Sequence, residues 1–96
     1  MTNTDFIKSL NEEAPESNLP QLLQALWWDK KGDWDRAHSI AQIVSNPDGS
    51  WVHAYLHRVE GDEWNASYWY KRANKKMPNQ SLEEEWLIIL DYLLEQ

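Results

Sequence analysis

Cysteine is absent from this 96-residue chain, which excludes disulfides, thiolate metal ligands and cysteine nucleophiles. Glycine is scarce, at three residues, and no P-loop, dinucleotide fingerprint or nucleophile elbow occurs. Basic side chains are the minority: nine Lys and Arg against sixteen Asp and Glu leave a net charge of −7. Such a chain repels a phosphate backbone, so nucleic acid is not an expected partner. No apolar run approaches the roughly 18 residues of a membrane span, so no membrane partner is expected. The opening stretch MTNTDFIKSLNEEAPES lacks the basic start and apolar core of a secretory signal. These absences make cytoplasmic the expected location. No cofactor is implied, and without any catalytic motif the reading leans away from an enzyme.

Aromatic side chains are what the chain has in quantity: seven Trp, four Tyr and one Phe. Each buried ring removes roughly 150–250 Å² from water, so a few suffice to anchor so small a core. Twelve exceed that need and leave some free to contact a partner.

The residues between the few Pro and Gly follow helical periodicity, and no strand pattern is found. Residues 4–13 carry Phe6, Ile7 and Leu10 on one side, and Pro15 ends that segment. Leu19, Leu22, Leu23 and Leu26 form a helical stripe that Gly32 closes. Asp33 caps a third helix bearing Trp34, Ala37, Ile40, Ala41 and Val44 on one face. A turn at Asn46-Pro47-Asp48-Gly49 leads to a fourth helix from about Ser50 to Glu60, closed by Gly61. Asp62 opens a fifth helix that continues to Met77. Ser81-Leu82-Glu83-Glu84 is a capping box for the last one. The expected fold is all-α, with five or six helices in one domain.

A shift of 29 residues superimposes Ala25, Gly32, Asp33 and Ala37 on Ala54, Gly61, Asp62 and Ala66. Small residues let paired helices approach, the Gly supplies a left-handed cap and the Asp caps the next helix. These residues imply two helical hairpins, at about 19–46 and 50–78, flanked by capping helices at about 4–13 and 82–95. Ala66, Tyr70, Ala73 and Pro78 resemble the second-helix pattern of tetratricopeptide repeats, and Ala66-Ser67-Tyr68-Trp69-Tyr70-Lys71-Arg72-Ala73 resembles a Sel1-like motif. The chain departs from the pattern at Ala41, where an aromatic is expected, and in its shorter repeat. GDWDRAH, WVHAYLHRVEGD and NASYWYKRA also resemble a group of small bacterial proteins. That implies a stand-alone domain and supplies no chemistry.

Two sets of residues are candidates for function. Trp51, Tyr55 and Arg58 form a stripe on the fourth helix, of residue types enriched in binding hot spots. In tetratricopeptide-like stacks the equivalent face lines a groove for a peptide or a partner helix. The alternative is that the first helix fills this groove with Phe6, Ile7 and Leu10. Trp64 and Tyr68 point away from the Ala66–Tyr70 stripe, and either pack against the final helix or mark an interaction surface. The leading functional reading is thus a TPR-like interaction module whose partner is a protein or peptide, or a second copy.

His53 and His57 lie one helical turn apart, the spacing that lets two imidazoles share a metal ion. Glu60 and Glu63 are near enough in sequence to supply oxygen ligands or a base. This pair and the aromatics around it support the alternative reading, a metal-binding or small-ligand protein or an enzyme. Its structural counterpart is two histidines buried between helices and hydrogen-bonded to backbone or side chains. Of Trp27 and Trp28, one must lie on a second interface or be partly exposed, because neighbours on a helix diverge by 100°. Lys71, Arg72, Lys75 and Lys76 gather at the end of the fifth helix, as its dipole favours.

Overall fold

The computed structural model describes residues 1–96 and is all-helical. Its six helices are α1 (Asn3–Ser9), α2 (Gln21–Lys30), α3 (Trp34–Ala41), α4 (Pro47–Val59), α5 (Glu63–Arg72) and α6 (Leu82–Leu94). No helix is long and apolar enough to cross a membrane.

The pairs α2–α3 and α4–α5 each turn through the same joint. Gly32 and Gly61 adopt φ of +88° and +84°. In the first joint Gly32 N–H donates to the Asp29 carbonyl and Asp33 N–H to that of Trp28; in the second, Gly61 and Asp62 repeat this with Arg58 and His57. These are Schellman caps, and they satisfy carbonyls that a helix end would otherwise leave orphaned. Asp33 and Asp62 then accept from the N–H groups of Arg36 and Asn65 to start the next helix.

Several helix ends differ from the sequence expectation. α4 begins at Pro47 rather than Ser50, because Asn46 caps it and proline fits the first helical position. α5 stops at Arg72 rather than Met77. There Asn74 takes φ of 60° and Lys75 N–H donates to the Tyr70 carbonyl, which builds a third left-handed cap without glycine. α3 ends at Ala41, short of Val44.

α4 is the central element, buried at every position from Gly49 to His57. α2, α3, α5 and α6 surround it. The core is aromatic as well as aliphatic: Trp27, Tyr70, Phe6 and Trp86 are essentially inaccessible. Their polar tips are placed. Trp86 donates to the Leu26 carbonyl and Trp27 to Ser9 Oγ, each at 3.0–3.1 Å. Trp28 is the half-buried member of its pair and carries the Arg36 guanidinium 4.1 Å from its ring.

Candidate functional site

The groove proposed for Trp51, Tyr55 and Arg58 is closed in the folded chain, and α6 closes it rather than α1. Glu85, 3% exposed, accepts from Trp51 Nε1 at 3.2 Å, Arg58 at 2.9 Å and Tyr70 hydroxyl at 2.6 Å. Arg58 also donates to the Gln80 carbonyl. Tyr55 is 3% exposed and donates to Asp29 at 2.9 Å. Burial raises the Tyr55 and Tyr70 hydroxyl pKa values and also that of Asp29. These three stripe residues therefore bind the protein to itself. Of the N-terminal trio only Phe6 is buried, against Trp86, while Ile7 is exposed.

Trp64 and Tyr68 have the opposite fate. α6 does not reach them, and they stand 76% and 45% exposed on the outer side of α5. Contact with the last helix was one of two expectations for this pair. The surface position is the one found.

The histidines form a cluster of three. α3 and α4 are antiparallel neighbours, and their shared face brings His38 to His53, with Nε2 atoms 3.0 Å apart. At that distance one ring donates and the other accepts. His57, one turn on, stacks over His53 with centroids 4.8 Å apart. A ring nitrogen of each of His38, His53 and His57 lies within 4.8 Å of the others. His57 Nδ1 is 2.7 Å from Glu60 Oε2, so its Nδ1–H donates to a carboxylate.

Aromatic rings hold the cluster in place. Trp34 lies parallel to His38 at 4.7 Å and is itself fixed by donating to the Leu56 carbonyl at 2.7 Å. Trp69 covers the far side of His53 at 4.0 Å. His53 and His57 are 6% and 8% exposed. Burial, reinforced by the neighbouring imidazoles, lowers the His53 pKa to about 4. His38 is lowered by burial first and then by His57. Both rings are neutral near pH 7, which is the form that binds metal.

Beside His53 runs an open cleft of about 450 Å³, walled by Trp69, Arg72, Asn46 and the first turn of α4 at Pro47, Gly49 and Ser50. Asp62 also lies near His57 and Glu60. Its carboxylate is already engaged by Asn65, whose hydrogen bonds lower its pKa, so its first task is capping α5. Glu63 is exposed and lies outside the cluster.

The pair His53/His57 was readable from spacing, while His38, Trp34 and Trp69 were not singled out. One signal was present: His38 follows Trp34 by four residues and precedes Ala41 by three, which sets it beside the buried stripe of α3. No family model matches the sequence, and neither a curated protein nor a solved structure matches it.

Proposed function

We propose that the chain binds a divalent transition-metal ion through His38, His53 and His57, with Glu60 orienting His57. The observation that carries this reading is the convergence of three imidazoles whose hydrogen-bond partners are other potential ligands, not the backbone. Here two face each other across 3.0 Å and the third is held by a carboxylate.

The distances suit the purpose. Three imidazole nitrogens about 2.0–2.1 Å from a tetrahedral ion stand about 3.3 Å apart from one another. The ring nitrogens lie within 4.8 Å of one another, so binding an ion draws them inward. The Glu60–His57 contact is the carboxylate–imidazole pairing that fixes the ring and raises its basicity as a ligand. An all-nitrogen donor set without thiolate favours zinc, copper(II), nickel or cobalt over calcium or magnesium. Three protein ligands also leave a coordination position free.

Equilibrium dialysis of untagged protein against chelator-buffered zinc tests the reading. One equivalent is expected to bind with a Kd below about 10 µM, and the imidazole nitrogen shifts of all three histidines are expected to move together. Glu60→Gln, a change at a half-exposed position, is expected to weaken binding about 10- to 100-fold while the fold remains. Absence of binding up to about 1 mM zinc, copper, nickel and cobalt would overturn the proposal.

A further inference from the structure

We infer that the outer face of α5 is a self-docking surface on which two copies of this chain pair antiparallel, about a two-fold axis passing between Ser67 and Tyr68. This goes beyond metal binding and concerns the outer face of the same helix, with Arg72 at the edge it shares with the cleft beside His53.

Trp64 is the most exposed large apolar side chain of the protein. Its ring lies nearly parallel to that of Tyr68, at 13° and 6.4 Å. Tyr68 is held from behind by the edge of Trp69 at 5.2 Å and from the side by the Arg72 guanidinium at 5.8 Å. The two aromatics thus form a supported platform, so ordering them on contact costs little entropy.

The charges around the platform select the occupant. Glu63 stands at one end of the face, and Lys71 and Arg72 at the other, all exposed. Along the helix the face reads acid, aromatic, aromatic, base. Read in the reverse direction, a second copy sets base against acid at each end. An antiparallel copy sets Glu63 opposite Arg72 of the second copy and Trp64 opposite Lys71 of the second copy, an ion pair and a cation–π contact, each made twice. Trp64 and Lys71 are equally far from the axis, at about 5 Å for a rise of 1.5 Å per residue. A parallel pair would set like charges together. An unrelated acidic or basic segment satisfies only one end of the face. At the axis Ser67 of each copy faces Tyr68 of the other.

A single helix face covers less than the about 800 Å² per partner of a standard interface, so the association is expected to be weak, with a Kd of about 10–100 µM. Sedimentation velocity across that range on the full chain reads it. Trp64→Ala and Glu63→Arg should each weaken dimerisation at least about ten-fold, and the double exchange Glu63→Arg/Arg72→Glu should restore it to within about three-fold. Because the chain has no cysteine, Ser67→Cys provides one reactive thiol, and a short bis-maleimide should link it to its twin. A chain that stays monomeric to about 1 mM overturns the inference, as does a dimer that Trp64→Ala leaves intact or the charge exchange fails to rescue. Zinc titration of Trp64→Ala, expected to match the parent, keeps this result separate from that of the metal site.

Discussion

Glu85 shows how much one side chain is asked to do. A carboxylate without access to water is costly alone, but here three donors from α4 and α5 converge on it, and its ion pair with Arg58 is one of them. Removing it leaves an indole N–H and a phenol unpaired and strips the half-buried Arg58 of its counter-charge. Glu85→Ala is therefore expected to cost about 3–5 kcal/mol in urea unfolding, which is far more than an exposed Glu83→Ala. His53 makes a prediction about pH. In the unfolded chain it protonates near 6.5, and in the folded chain only near 4. Between those values the unfolded state holds the extra proton, so stability falls as pH falls; above 6.5 the ring is neutral in both states and adds no slope. With chelator present, the parent should lose more stability from pH 7 to pH 4.5 than His53→Gln does, read from urea midpoints. Residue types and spacings picked out candidate side chains, and the structure does bring His53 and His57 together. They did not show which of them the fold consumes. Trp51, Tyr55 and Arg58 look like a binding stripe in one dimension, and it is Glu85, more than two dozen residues downstream, and Asp29, upstream, that turn the stripe inward.

Among the helices, legibility followed how local the causes are. The glycine joints, the aspartate caps and the Ser81–Glu84 capping box depend on residues within a turn of each other, and the structure forms all of them. The ends that were misplaced depend on Asn46 and Asn74, whose side chain or backbone adopts one of several roles open to asparagine. The three glycines separate two kinds of requirement. A Cβ at Gly32 or Gly61 would meet open space, so the cost of alanine there is the left-handed backbone alone, about 1 kcal/mol. A Cβ at Gly49 would lie 1.9 Å from the Val44 carbonyl oxygen, where the α3–α4 turn folds back on the new helix. Gly49→Ala is expected to cost about 3 kcal/mol, the upper range for overpacking, and thermal melts of the three variants give the ranking.

At the scale of the whole molecule, α6 turns two hairpins into a closed body. Trp86 on this helix reaches the Leu26 carbonyl of α2, and Glu85 reaches α4 and α5. A chain ending at residue 80 is expected to lose cooperative unfolding and to bind a hydrophobic dye, because Trp51, Tyr55, Val52 and Leu26 lose their cover. Retention of a sharp melt by that fragment would show that the hairpins stand alone. The contacts that decide this are separated by as many as sixty residues of chain, which is why periodicity alone did not assign them.

The buried carboxylate on α6 has a consequence for the order of events during synthesis. A growing chain emerges with its helices in sequence, so the hairpins exist for a time with a cation, an indole and a phenol aimed at a carboxylate still inside the ribosome. Until α6 arrives, that patch is both sticky and electrostatically incomplete, and the hairpins depend on a later-made helix to leave that state.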